Sequence, residues 1–145
     1  MFEKLMRENK NGAVELCHCL HFLQMATEKL AKSFLCHTYS GPPKTTHAAQ
    51  VKFLQSLSVN PSARLKYKAR TNRDLASAIR LILPFAQQIQ DLAPTANTSV
   101  LNAEYPWVDA LGIIHCPSSH NYPHFNWTKL LQFSDFIKCL LICLK

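Results

Sequence analysis

A chain of 145 residues, 48% apolar and 17% charged, is long enough for one domain with a buried core and too apolar to stay disordered. Its three glycines are too few for an all-β fold built on tight hairpins, because glycine supplies the positive φ that such turns need. Sixteen Lys and Arg against nine Asp and Glu give a formal net charge of +7, which suits an anionic partner such as RNA, a nucleotide or an acidic protein, or serves solubility alone.

The first stretch, MFEKLMRENKNG, carries charges throughout and has no apolar run of signal-peptide length. The expected location is cytoplasmic, where the six cysteines stay as thiols. An amphipathic helix is predicted over 12–36, starting at Asn11 or Gly12. On a helical wheel, Leu16, Cys19, Leu20, Leu23, Ala26, Thr27, Leu30, Ala31 and Phe34 share one side. Glu15, Cys17, His18, His21, Gln24, Glu28, Lys29, Lys32 and Ser33 share the other. Cys17 and Cys19 point roughly 160° apart on a helix and cannot hold one ion between them. Cys17/His21 or His18/His21 have helical ligand spacing but supply two ligands at most, with no second cluster at a recognised spacing. No metal and no cofactor are expected. His21, Met25, Glu28 and Lys32 form a stripe along the polar side, with Glu28 and Lys32 spaced for an i,i+4 pair. That stripe is either a solvated face or a ligand or partner surface.

Gly41, Pro42 and Pro43 place a loop after this helix. A short helix follows from about Thr46 to Asn60-Pro61, burying Val51, Leu54 and Leu57. Residues 64–73, RLKYKARTNR, hold five positive charges and no negative one. As a loop they are either solvated or able to track phosphates while Tyr67 stacks a base. Thr71 with Asp74 resembles a capping signal, and Leu75, Ile79, Ile82, Ala86, Ile89 and Ala93 then recur at bundle spacing. Pro84 inside this run predicts a kink or a split. Residues 94–127 show almost no periodicity and carry two Trp, two Tyr, three His and four Pro. They are expected to form a long aromatic belt packed on the bundle. A last helix is predicted over 128–144, using Leu131, Phe133, Phe136, Ile137, Leu140, Leu141 and Leu144. Its apolar end is far too short to span a membrane.

These elements make an all-α fold, one domain over 1–145. LQMATEKLAKSFL, a Pro-containing loop and THAAQVKFLQ together resemble the central block of HEPN domains. Ala26, Glu28, Lys29, Lys32, Thr46 and His47 match that family's A-x-E-K-x-x-K-A-like and T-H patterns, within residues 13–58 aligned in kind. NAEYPW at 102–107 resembles a block found in a bacterial subset of HEPN-like proteins. The resemblance implies an up-and-down bundle of four or five helices, often dimeric. Ribonucleases of that family carry an R-x(4–6)-H motif. None of the five arginines here, Arg7, Arg64, Arg70, Arg73 and Arg80, is followed by a histidine at that spacing. The chain therefore departs from the family's nuclease chemistry, and no catalytic residue is assigned.

The leading expectation is a non-catalytic HEPN-like module that binds RNA or a nucleotide, or a protein partner such as a nucleotidyltransferase in a toxin–antitoxin or defence setting. Glu28, Lys29, Lys32, Lys44, His47, Arg73 and Arg80 are its candidate ligand-binding residues. A divergent metal-independent ribonuclease using His47 or a loop histidine is one alternative. A purely structural homodimerisation bundle, with FIKCLLICLK as the sticky face, is another.

Overall fold

The computed structural model of the chain describes residues 2–39, 49–92, 101, 103–123, 125 and 127–141. These are mostly helical, with one small sheet. The stretch Phe2–Lys10, for which no element is predicted, forms helix α1. It rests against the next helix, and the Cys19 thiol donates to the Leu5 carbonyl at 3.5 Å. Gly12 closes α1 instead of opening the following helix: its φ is +73°, and its N–H donates to the Asn9 carbonyl at 2.8 Å.

Helix α2, Leu16–Tyr39, packs on α3, Ala49–Leu57, and α3 in turn packs on α5, Asn72–Asp91. Phe34 meets Phe53 edge-on at 5.1 Å between the first two. The Gln90 Oε1 at the end of α5 accepts the Val51 N–H at 3.2 Å, satisfying one of the free donors at the start of α3. Leu20, Leu54, Leu57, Leu75, Ile79, Ala86 and Ile89 build the shared core. Such burial contributes about 1.5–3 kcal/mol for each large side chain.

The basic stretch 64–73 is not simply a loop. Its first residues finish a six-residue helix, α4, Pro61–Lys66. Asn60 caps it by accepting the Ala63 N–H at 3.0 Å, and Pro61 sits where its missing N–H costs nothing. Thr71 and Asp74 make the full reciprocal capping box at the start of α5, with bonds of 2.9 and 3.1 Å. Pro84 does not split α5, which runs as one helix of 20 residues.

The non-periodic segment contains a two-stranded antiparallel hairpin, β1 at Trp107–Val108 and β2 at Ile114–His115, with Trp107 opposite His115. A single 3-10 turn, Pro117–Ser119, follows. The Asp109 Oδ1 accepts the Leu111 and Ile113 N–H groups at 2.8 and 3.0 Å, and Gly112 at φ +81° completes the turn. The last helix, α6, spans Trp127–Leu141. Leu130, Phe133, Phe136 and Ile137 are buried, whereas Leu131, expected inside, is exposed. No helix among the described residues is long and apolar enough to cross a membrane.

Candidate functional site

The side of α2 expected to face solvent is partly covered. Cys17, Gln24 and Glu28 are each under 4% exposed, and at the Cys17 end the segment after residue 100 lies against the helix, burying Ala103, Trp107 and Tyr122 of its own. The 3-10 turn of this segment touches α2 directly. A carboxylate out of water needs charge and hydrogen bonds around it. Glu28 has both: the Gln24 Nε2 donates to its Oε2 at 2.6 Å, and the Lys32 Nζ donates to its Oε1 at 2.5 Å. Conversely Ala26, placed on the buried side of the wheel, is exposed.

Between α2 and this covering segment lies an open cleft of ≈ 330 Å³, lined by Cys17, His18, His21, Ala103, Glu104, Pro117 and Ser118. The His21 Nδ1 stands 3.8 Å from the Glu104 Oε2. Burial pushes the Cys17 thiol up from its ordinary value, and the Cys19 thiol up to about 11. Neither is therefore an activated nucleophile at neutral pH. Among the described residues, no three of His, Cys, Asp and Glu are grouped to hold a metal ion.

Beyond the cleft the hairpin carries a stack of rings. His115 lies nearly parallel to Trp107, centroids 5.4 Å apart, and His120 meets Trp107 edge-on at 5.0 Å and Tyr122 at 4.9 Å. The Asp109 Oδ2 is 2.9 Å from the His115 Nε2. That hydrogen bond, helped by the backbone N–H of Ile113, holds the Asp109 carboxyl below its usual range. Burial, and then the neighbouring His115, push His120 down; burial raises the Tyr122 hydroxyl. The segment's aromatics thus pack on the core, while its Ala103, Glu104, Pro117 and Ser118 line the cleft.

The basic segment has a different character. Arg64 is half-buried, while Lys66, Lys68, Arg70 and Arg73 are exposed. No carboxylate of the described residues pairs with any of the five. The Arg64 Nε is shut off from water and has no hydrogen-bond partner. Tyr67 meets Phe136 of α6 edge-on at 5.2 Å and is half-buried, so its ring belongs to the α4–α6 contact instead of standing free for a base. The Cys139 thiol reaches the Lys66 carbonyl at 3.4 Å and fixes the same contact from the other side.

The residues singled out in the sequence are divided among these places. Glu28 and Lys32 are paired with each other on α2. Lys29 is exposed on α2. Arg73 and Arg80, seven apart and so on one face of α5, are both exposed. Lys44 and His47 lie outside the described residues. Arg64, Lys66, Lys68 and Arg70 were visible as a charge run, but nothing in the run itself marks which of them the fold strains or half-buries. Set beside known proteins, the chain matches no family model, and neither a curated protein nor a solved structure is similar to it.

Proposed function

We propose that this chain is a helical module that binds the phosphate backbone of RNA through the cations of residues 64–73, continued along α5 by Arg80. One observation carries the reading: five basic residues within ten positions, four of them exposed, with no carboxylate among the described residues in an ion pair with them. A solvated charged face ordinarily mixes signs, whereas a one-signed strip on a chain of net charge +7 attracts polyanions and releases their counterions. A HEPN-like module without the nuclease motif, as the resemblance implies, is compatible with this reading. Lys29, and Lys44 and His47 from the same resemblance, would then be secondary contacts.

The test is anisotropy of a labelled single-stranded RNA across a salt series, with RNA integrity read on the same samples. Binding that weakens steeply with salt while the RNA stays intact is expected. Absence of binding at about 50 mM salt, where phosphate contacts are strongest, would discard the reading. Cleavage of the RNA that disappears in His47→Ala would replace it with the ribonuclease alternative.

A further inference from the structure

Two helices of this chain end in the same hydrogen-bonded turn. After α1, Gly12 N–H donates to the Asn9 carbonyl and Ala13 N–H to the Glu8 carbonyl, both at 2.8 Å. After α4, Lys68 N–H donates to the Leu65 carbonyl at 3.1 Å and Ala69 N–H to the Arg64 carbonyl at 3.0 Å. Both are Schellman turns, in which the residue just past the helix takes left-handed backbone. Gly12 takes it at φ +73°, and Lys68 takes it at φ 57°. Glycine has no Cβ to clash with its own carbonyl there, whereas a lysine is strained. Among the described residues Lys68 is the only non-glycine residue at positive φ.

The same chain therefore uses glycine at one such turn and keeps a strained, exposed cation at the other. That second turn lies in the middle of the basic strip, four residues past Arg64, whose Nε has no partner. Arg64 is only half-buried, and of its guanidinium the Nε alone is shut off, so the outer N–H groups are the ones that can take an anionic oxygen. Backbone strain retained against a freely available alternative points to a task for the side chain.

We propose that the turn closing α4 is the principal phosphate contact of the module, with Lys68 and Arg64 its binding residues. The inference rests on the RNA reading above. It adds that Lys68 occupies a position where glycine would give a more stable protein. It also adds that recognition is of phosphate and not of sequence, since Tyr67, the aromatic residue of the strip, is engaged with Phe136. Attraction between a lysine and the carbonyls ending α4 would also favour a cation here, but that effect predicts no loss of RNA binding when the charge is removed.

The experiment compares wild type with Lys68→Gly, Lys68→Ala and Lys68→Arg, measuring Tm and the salt dependence of binding to two RNAs of unrelated sequence. Lys68→Gly is expected to raise Tm by about 3 °C, because it removes the strain. Lys68→Ala keeps a Cβ at positive φ and should show no such gain. Both should lower the slope of log affinity against log salt by about 0.7, the loss of one single-strand phosphate contact. The change should be equal on both RNAs, and Lys68→Arg should restore the slope. Unchanged slopes in Lys68→Gly and Lys68→Ala, with wild type still binding, would overturn the assignment of Lys68 and leave the RNA reading standing. A Tm for Lys68→Gly at or below wild type would overturn the trade-off. Wild type that fails to bind either RNA would remove both readings together.

Discussion

Glu28 and Lys32 sit one helical turn apart, and that spacing alone announced their pairing. What it did not announce is that the pair is internal. On an exposed helix such a pair contributes a few tenths of a kcal/mol, whereas here the carboxylate is 3% exposed and the Lys32 ammonium is one of the groups that offset its burial. Lys32→Met is expected to lower stability by about 3 kcal/mol, since removing one partner of a buried pair costs far more than the pair itself contributes. The double variant Glu28→Leu, Lys32→Met should recover most of that loss. Urea unfolding of the three proteins is the check, and a Lys32→Met cost below about 1 kcal/mol would show that Lys32 is not what offsets the burial of the carboxylate. The wheel drawn from α2 could not foresee the burial, because it depends on tertiary packing around the helix and not on the helix's own spacing.

At the scale of elements, periodicity located the long helices, and α2, α5 and α6 stand close to where the apolar spacing puts them. The capping box of α5 was also legible, because Thr71 and Asp74 act on their own neighbours. Of the shorter elements, α3 falls within its predicted bounds, but α4 and the hairpin were not legible. The six residues of α4 are too few to show a period, and the helix exists through its ends: the Asn60 cap and the turn at Lys68. The hairpin has two residues in each strand, and its turn is organised by one side chain, that of Asp109, rather than by an Asn-Gly signal. Pro84 forfeits the bond to the carbonyl of Arg80, yet the helix continues through it as one element.

The hairpin also has a pH signature. His120 is held below its ordinary 6.5, so the unfolded chain takes up its proton first as the solution is acidified. Its contribution to stability is whole above about 6.5 and declines as pH falls toward the folded value. Asp109, also depressed, adds a loss only at more acidic pH, as its own carboxylate protonates. The groups facing His120 are His115, Trp107 and Tyr122. Lowering the pH from about 7.5 to about 5.5 should reduce the Tm of wild type more than that of His120→Phe. Equal drops in the two proteins would remove His120 from the acid sensitivity.

For the whole molecule, the irregular segment is as structural as the helices. It packs against α2 near Cys17, while α1, α3 and α5 pack on other parts of the helix. Cys17 lines the cleft beneath the segment, whereas Cys19 turns toward α1. Trp107→Ala should cost about 3–5 kcal/mol and make Cys17 reactive to alkylation before Cys19, because the segment loosens and α1 does not. Mass spectrometry of a short alkylation pulse reads the order, and simultaneous labelling of both thiols would mean that the molecule opens as one unit. The helical class was legible in composition and period. The candidate site was legible only as charge, since the strain at Lys68 and the isolation of the Arg64 Nε arise from a turn and a helix contact that no local pattern spells out.

Helix α2 is enclosed on more than one side, and this changes how the chain would respond to random substitution. Its exposed positions are His18, Phe22, Met25, Ala26, Lys29, Ser33 and His37, a strip barely one residue wide that advances by threes and fours. An ordinary surface helix forgives changes over about half its circumference. Here tolerance would come as a narrow beat along 24 residues. Polar positions such as Gln24 and Glu28 would prove as intolerant as the leucines beside them.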